Sequence, residues 1–435
     1  MDKKIDQKIK ILHISTSDIQ GGAAKAAYRL HKSLNTSDLI NSKMIVAEKS
    51  SKDSNIIEVK KGFFLTYFLS RLEKKYFSIT ASKKNEQGKY FWPPGIFKRY
   101  SFTQILQDLP FIPDIIIAYW INNFITCEDL YKLSDYTKSP VIWYFMDMAP
   151  MTGGCHYAFN CRGYENECGR CPALDSNKKY DLSYKILKNK HEFIQKTNIT
   201  AVAGSSYVFQ QAKQSKIFSG KVIEQILLGL DEKIYKPDVR KIARQKLKIP
   251  DEKKIIIFGS QSINEKRKGY KYFIEALNIL RGLIINNSKM LNNIAIITIG
   301  KKNDENLKLP FKEYYFDILK EGEELALAYQ AADVFVCSSV EDSGPMMVNE
   351  SIMCGTPVVS FDIGVALDLV FTGKTGYRAK LKDSLDLSLG IKFILELTEK
   401  KAQEIRNNCR NLALRKYSTK IQRDEFIELF RSLLN

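Results

Sequence analysis

The sequence predicts an α/β protein built from two doubly wound domains, each a parallel sheet covered on both faces by helices. Short apolar runs alternate with helical patterns along the chain, which is typical of buried parallel strands. The runs form two series, separated by a charged, proline-containing passage at residues 228–254. A length of 435 residues also exceeds what one hydrophobic core usually holds.

The elements follow in order along the two series. The strand-like runs of the first are IKILHIS, KMIVAE, DIIIAYW, VIWYFM and ITAVAGS, and those of the second are KIIIFGS, NIAIITIG, YYFDIL, DVFVCSS and PVVSFD. We expect a first domain at 1–235 with a cysteine-rich insert at 151–174, a second domain at 236–415, and a C-terminal helix at 416–435 that could pack back on the first domain. Ligands of open α/β sheets bind beyond the carboxyl ends of the strands, so a cleft between the domains is the expected active site.

Composition places the chain among folded proteins and excludes a disordered one, because 44% of the residues are apolar and 27% are charged. The first residues lack a signal-peptide pattern, so a cytoplasmic protein with reduced thiols is expected. Apolar runs are too short for a membrane span. The net charge of +18 indicates contact with nucleic acid, anionic lipid or phosphorylated substrates, or simply a lysine-rich surface.

Residues 60–100 carry ten Lys or Arg against two Glu, together with many aromatic residues. This mixture suits the headgroup layer of a membrane, although single-stranded nucleic acid would also accept it. We expect peripheral binding to an anionic membrane surface, with Lys60, Lys61, Lys74 and Lys75 taking part.

The first strand leads into Gly21 and Gly22, which open a helical pattern. Bare N–H groups at a helix start attract phosphate or another anion, although a glycine pair in this place is often only a tight turn. In the second series, Arg267 and Lys268 precede Gly269 in a similar loop. These two cations are either placed to neutralise a diphosphate or merely solvated.

The segment SSVEDSGPMMVNESIMCGTPVV carries two acidic positions, Asp342 and Glu350. Pro345 favours a helix start, so Asp342 lies in a loop and Glu350 within the helix. Their spacing lets both carboxylates face one cleft. A carboxylate that accepts two hydrogen bonds from a diol can recognise a ribose or hexose, whereas helix capping explains Asp342 but not Glu350.

These motifs together resemble family 4 retaining glycosyltransferases, which have the GT-B fold of two Rossmann-like domains facing across a cleft. The acidic residue, seven further residues, Glu and CGTPVV resemble the family's nucleotide-sugar signature. The Gly21 turn, Lys268-Gly269, LGLD at 228–231 and the amphipathic C-terminus extend the resemblance over nearly the whole chain. The segment DMAPMTGGCHY resembles one branch of the family that carries spaced cysteines.

The resemblance implies an enzyme that moves a hexose from a nucleoside diphosphate sugar to a saccharide or lipid-linked acceptor, as in polysaccharide synthesis, without a catalytic metal. It implies that Glu350 holds ribose hydroxyls and that Asp342 lies near the transferred sugar. It further implies that Lys268 and Arg267 bind the diphosphate, while N–H groups around Ser343 and Gly344 meet sugar or phosphate oxygens.

Three positions depart from the family pattern. Asp342 stands where Glu is usual, Ser260 where Arg is usual, and Met146 where a His commonly precedes Asp. Asp147 or His156 would then contact the sugar instead of the missing His. Two other functions stay open: a catalytically impaired nucleotide-sugar-binding protein, and a zinc-containing nucleic-acid-binding protein.

Four cysteines, Cys155, Cys161, Cys168 and Cys171, lie within the insert. In a reducing compartment such a group favours a metal, and the C-G-R-C pair resembles one knuckle of a zinc site. Four thiolates would make a closed structural zinc site, with His156 as an alternative ligand. Free packed cysteines and disulfides formed after purification are the alternatives.

Overall fold

The computed structural model describes residues 8–59, 71–72, 75–76, 86–92, 100–263, 265–301, 308–320 and 322–435. The chain divides into two compact units. The first runs to Gly204 and also takes Val208–Gly229 and Gln422–Asn435, while the second takes Ser205–Tyr207 and Leu230–Ile421. Lys60, Lys61 and Lys74 of the basic aromatic segment lie outside the described residues.

The first unit contains one sheet of seven parallel strands in the order β3-β2-β1-β4-β5-β6-β7. The strands are β1 (Ile9–Ser17), β2 (Ile40–Glu48), β3 (Ile56–Glu58), β4 (Ile115–Ala118), β5 (Val141–Phe145), β6 (Ile199–Ala203) and β7 (Val222–Gln225). The helices of this half are α1 (Gly22–Leu34), α2 (Glu86–Lys89), α3 (Phe102–Gln107), α4 (Cys127–Thr137), α5 (Leu182–Lys196) and α6 (Ser206–Gln214).

Both faces of this sheet are covered, as its apolar strands require. Successive residues of β1 enter opposite cores: Leu12 lies in one, and Ile11 lies in the other with Leu30 of α1. Phe426 and Phe430, near the C-terminus, belong to the second of these cores and are fully buried.

The second unit contains a sheet of six parallel strands in the order β10-β9-β8-β11-β12-β13. The strands are β8 (Lys254–Ser262), β9 (Ile294–Lys301), β10 (Lys312–Phe316), β11 (Val334–Cys337), β12 (Val358–Phe361) and β13 (Gly376–Ala379). The helices are α7 (Arg240–Lys246), α8 (Tyr270–Leu283), α9 (Ser288–Asn293), α10 (Glu323–Ala331), α11 (Met346–Met353), α12 (Ala366–Leu369), α13 (Ser384–Leu395) and α14 (Glu399–Tyr417). The last helix, α15 (Thr419–Leu434), begins in the second unit and belongs to the first from Gln422 onward.

The predicted pair of doubly wound α/β domains is confirmed by these two sheets. Each of the ten strand-like runs overlaps a strand, while β3, β7 and β13 were not recognised. Pro345 is the residue before α11 and not its first residue, which corrects the predicted helix start by one position. Among the described residues, no helix combines the length and apolar character needed to span a membrane.

Candidate functional site

The strand order of each sheet reverses at one point, between β1 and β4 in the first unit and between β8 and β11 in the second. Loops leave such neighbouring strands in opposite directions and open a crevice at the carboxyl ends, where α/β sheets bind ligands. Gly21 and Gly22 follow β1, Arg267 and Lys268 follow β8, and Asp342 follows β11. The predicted binding residues therefore lie at the two reversal points.

The loop after β8 is fixed by a tight backbone contact. Gly269 adopts a left-handed φ of 68°, and a β-carbon there would stand 1.8 Å from the carbonyl oxygen of Ser338, so only glycine fits. The N–H of Val340 donates to the carbonyl of Arg267 at 2.7 Å. These contacts hold the loop after β8 against the loop after β11.

Asp342 joins both predicted cations. Its Oδ2 accepts hydrogen bonds from Arg267 Nη1 at 2.9 Å and from Lys268 Nζ at 2.6 Å. Burial alone would raise the pKa of Asp342, but Lys268 and Arg267 outweigh it and hold the pKa below its ordinary value. Arg267 also donates through Nε to Glu265 at 2.6 Å. Two cations and two carboxylates thus form a neutralised cluster.

The loop residues beside Asp342 turn their polar groups inward. The N–H of Gly344 donates to Asp342 Oδ1 at 3.2 Å, and the carbonyl of Ser343 accepts from the hydroxyl of Ser205 at 2.8 Å. A ligand oxygen that used the Gly344 N–H would therefore compete with Asp342.

Glu350 lies within α11 and is only 4% exposed. Its Oε2 accepts a hydrogen bond from the Tyr329 hydroxyl at 2.9 Å. Burial, and then the neighbouring Glu350, raise the pKa of Tyr329 well above its ordinary value, so this phenol remains a donor. Sequence analysis missed Tyr329, because a tyrosine in the apolar face of α10 resembles a core residue.

The Gly21-Gly22 turn combines unusual backbone geometry with open space. Gly21 has a φ of 87° and precedes α1, and a side chain at either glycine would meet no atom within 4 Å. The turn is anchored by Asp18, which is fully buried and accepts hydrogen bonds from the N–H groups of Ser50 and Ser51. Asp18 was also missed, since a single Asp after a strand carries no distinctive sequence signal.

Asp147 and His156 meet in the loop after β5. His156 Nδ1 and Asp147 Oδ2 are 2.6 Å apart, and the other oxygen of Asp147 accepts from the N–H of Ala149 at 2.8 Å. The amide of Asn122, which follows β4, lies 3.3 Å from His156 Nε2. The imidazole is therefore held at both nitrogens, with the Trp120 ring 5.9 Å away.

A cavity of about 260 Å³ adjoins this pair within the first unit. Its walls include Trp120, Asn122, Met146, Asp147 and Lys190. Met146, where the family commonly has His, is thus part of the wall. Apolar and aromatic walls with a few polar groups are typical of small-molecule pockets.

The four insert cysteines lie in the described residues and form no disulfides there, and neither do the other four cysteines. The side chains of Cys155 and Cys171 are hydrogen-bonded to each other. Within the described part of the chain, no three His, Cys, Asp or Glu side chains are arranged as a ready metal cluster. The predicted zinc ligation stays a prediction.

Residues 239–412 match the family model for glycosyl transferases group 1. The matched segment of the chain is similar to group 1 glycosyltransferases. The predicted family resemblance is thereby confirmed for the part of the chain that holds Arg267, Lys268, Asp342 and Glu350. The cysteine-rich segment 151–174 lies outside the matched residues.

Curated relatives match about a third of the chain. The chain is 23% identical to a D-inositol 3-phosphate glycosyltransferase of Stackebrandtia nassauensis over 172 residues, covering 36% of this chain and 37% of that protein. It is 27% identical to a GDP-mannose-dependent alpha-mannosyltransferase of Mycobacterium tuberculosis over 149 residues, covering 34% and 36%. The match thus spans little more than a third of the length of these relatives.

Solved structures match over nearly the full chain. Alr3699/HepE from Anabaena, in complex with UDP and glucose, aligns with a TM-score of 0.60 at 15% identity, covering 98% of this chain and 100% of that one. At this identity the likeness concerns the fold, and it confirms the predicted GT-B architecture of two Rossmann-like domains.

Proposed function

We propose that this protein is a retaining glycosyltransferase that moves a hexose from a nucleoside diphosphate sugar to a saccharide or lipid-linked saccharide in cell-surface polysaccharide synthesis. The observation that carries the proposal is the cluster of Arg267, Lys268 and Asp342 at the strand reversal of a glycosyltransferase domain. Paired cations at that place suit a diphosphate. The relatives' GDP-mannose and UDP support this donor class.

In this proposal the diphosphate displaces Asp342 from the two cations. Arg267 and Lys268 then stabilise the charge that develops on the leaving diphosphate, and no divalent metal is needed. As the bond between the anomeric carbon and the diphosphate breaks, the acceptor hydroxyl attacks from the same face and its proton passes to a leaving phosphate oxygen. Released from the cations, Asp342 contacts the transferred sugar together with Ser343 and Gly344.

Glu350 holds the ribose hydroxyls in this proposal, and Tyr329 orients its carboxylate. In the first unit, Gly21 and Gly22 offer N–H groups to an anionic part of the substrate. His156, held by Asp147 and Asn122, contacts a sugar in place of the His that Met146 replaces. The cavity beside Trp120 suits an acceptor sugar ring.

A thermal-shift panel of UDP and GDP sugars tests the donor. Ligand at a hundredfold excess over its Kd should stabilise the protein by about 2.7 kcal/mol, while free hexoses should not.

Two variants test the site residues. Lys268→Ala should weaken the binding of nucleoside diphosphates more than that of nucleosides, and Glu350→Ala should weaken the binding of both. Lys271→Ala, an exposed lysine in the first turn of α8, is the matched control. A protein that no nucleoside diphosphate stabilises would contradict the proposal.

Met146 favours a second candidate, a protein that binds nucleotide sugar without transferring it. Release of nucleoside diphosphate in the presence of an acceptor mixture separates the two, and NMR of the anomeric proton of the product tests retention. If Arg267 and Lys268 supply the positive charge that stabilises the leaving diphosphate, turnover should be unchanged when EDTA removes divalent metal ions.

We further propose that the protein is cytoplasmic and binds peripherally at the inner membrane face. Binding to anionic vesicles should then fall steeply with salt, since exposed charges are screened within about 8 Å at physiological ionic strength. A variant neutralised at Lys60, Lys61, Lys74 and Lys75 should bind less. Undiminished binding would contradict the role of these lysines.

A further inference from the structure

The loop between β5 and α5 holds its four cysteines as two pairs. Cys155 and Cys171 are linked by a side-chain hydrogen bond. Cys161 and Cys168 lie on either side of Gly163, and a β-carbon placed on that glycine would stand 3.5 Å and 3.8 Å from their sulfur atoms. Four thiols from one loop are thus gathered around a short turn.

Hydrogen-bond donors are directed at three of these sulfurs. The N–H of Gly163 donates to Cys161 Sγ at 3.5 Å, and the N–H of Gly153 donates to Cys168. Near Cys171, the N–H of Ala173 is close enough to interact with the sulfur, while the Leu174 N–H donates to the Cys171 carbonyl at 3.1 Å and the Ser183 hydroxyl donates to Asp181 at 2.7 Å. Metals bind cysteine as the thiolate. Burial raises the pKa of Cys161 and Cys168, and the hydrogen bond to Cys171 followed by burial raises the pKa of Cys155, so the metal ion itself would have to displace the thiol protons.

A buried cation lies beside the same loop. Lys190 of α5 is 4% exposed, and its Nζ donates to the carbonyls of Ala149 and Thr152 at 2.6 Å and 3.0 Å. Cys155 and Cys168 are near enough to interact with its charge. Four thiolates around one divalent ion carry a net charge of −2, which would compensate this buried ammonium group.

We propose that Cys155, Cys161, Cys168 and Cys171 bind one structural zinc ion. In a tetrahedral site with Zn–S bonds of about 2.3 Å, neighbouring sulfurs lie about 3.8 Å apart, a distance that two hydrogen-bonded thiols already approach. The second pair must close on the first, because the described side chains do not yet converge as a metal cluster. Four protein ligands leave no open position, so the ion stabilises the loop and takes no part in the reaction.

The ion would act on the neighbouring site through the chain. Cys155 directly precedes His156, whose imidazole contacts Asp147 at 2.6 Å. Both backbone polar groups of His156 are hydrogen-bonded. Its N–H donates to the carbonyl of Tyr90, and its carbonyl accepts from the N–H of Met148. Zinc on Cys155 would fix the position from which His156 reaches Asp147.

The test uses the full chain, purified under reducing conditions without chelator. Elemental analysis should find one zinc per chain, and X-ray absorption at the zinc edge should show four sulfur ligands at about 2.3 Å. The double variant Cys168→Ser and Cys171→Ser should lose the zinc and exchange the amide hydrogens of the loop faster. Cys127→Ala, a buried cysteine of α4 in the same unit, should keep one zinc per chain.

X-ray absorption on the unmodified protein identifies the zinc ligands even if the double variant does not fold. Nitrogen or oxygen ligands in place of the four sulfurs would overturn the proposal, as would zinc retained by the double variant. Metal-free protein would also overturn it, whether peptide mapping finds four free thiols or a Cys155–Cys171 disulfide.

Discussion

The two units stabilise their buried polar groups in different ways. In the second unit, two buried carboxylates are paired with cations. Asp342 binds Arg267 and Lys268, and Asp333 binds Arg240 at 2.8 Å and Arg244 at 3.0 Å. Arg244 and Asp333 have side chains only 4% and 8% exposed.

In the first unit, two buried imidazoles are hydrogen-bonded to hydroxyl groups and not to charged groups. His13 Nδ1 lies 2.8 Å from the Tyr119 hydroxyl, and His31 Nδ1 lies 2.7 Å from the Ser42 hydroxyl. Burial lowers the pKa of His31 to about 4, and burial followed by the charge of His31 lowers the pKa of His13 well below its ordinary value. The Nε2 atoms of both rings have no hydrogen-bond partner within the described structure.

This difference implies different weaknesses. An ion pair keeps its charges over a wide pH range but fails when one partner is removed, because the other is left buried and charged. A neutral imidazole needs no partner charge but must bind a proton in acid. The second unit should therefore be sensitive to substitution, and the first to pH.

The largest effect should follow removal of both partners of Asp342. We expect Arg267→Ala with Lys268→Ala to destabilise the second unit by about 3–5 kcal/mol, because Asp342 stays buried without its cations. All three tryptophans, Trp92, Trp120 and Trp143, lie in the first unit, so hydrogen exchange of peptides from β8 and α8 is the suitable measurement. Adding Asp342→Asn should recover much of the loss, and no recovery would show that the charge is not its cause.

Acid should selectively weaken the first unit. The unfolded chain binds a proton at His31 below pH about 6.5, whereas the folded chain binds it only near pH 4, so stability is lost as pH falls through this window. We expect a loss of about 2 kcal/mol between pH 7 and pH 5 from this group. Urea denaturation followed by tryptophan fluorescence measures it. His31→Asn, which cannot titrate, should reduce the pH dependence, and an unchanged slope would count against this assignment.

The sequence predicted the central strands and missed the edges for one physical reason. Central strands such as β1, β4 and β8 are buried on both faces and therefore read as continuous apolar runs. The missed strands β3, β7 and β13 lie at or near sheet edges, have three or four residues each, and include polar ones such as IIE and VIEQ. Half-exposed short strands carry too few apolar residues to be recognised.

The site was predictable where residues are adjacent in sequence and not where distant residues meet. Motifs located Arg267, Lys268 and Asp342, yet spacing alone did not indicate that Asp342 binds both cations across 74 or 75 residues. Tyr329 reaches Glu350 from a separate helix, and Asn122 reaches His156 from another strand end. Such partners follow from strand order, which local sequence does not encode.

A smaller effect should come from the hydrogen bond on Glu350. We expect Tyr329→Phe to destabilise the second unit by about 1.5 kcal/mol, because a buried carboxylate loses one donor. Tyr417→Phe is a matched control, since the hydroxyl of this equally buried tyrosine donates to the backbone carbonyl of Asn349 at 2.8 Å and not to a carboxylate. Hydrogen exchange of α11 should show the larger change for Tyr329→Phe. Equal changes would mean that the charge on Glu350 adds nothing.

The smallest effect should appear at the backbone turn of the first unit, where the two glycines form a matched pair. Neither would bring a new side chain within 4 Å of any atom, but only Gly21 has a positive φ, 87°. Gly21→Ala should therefore destabilise the first unit by about 1 kcal/mol through strain, whereas Gly22→Ala should be neutral or stabilise it by up to about 0.5 kcal/mol. Tryptophan-monitored urea denaturation measures both.

If the N–H groups of this turn hold an anionic substrate, Gly22→Ala should still weaken binding, because the added methyl group occupies the open space beside them. Unchanged binding would mean that Gly21 and Gly22 form only a tight turn, and that substrate anions depend on the cations of the second unit alone.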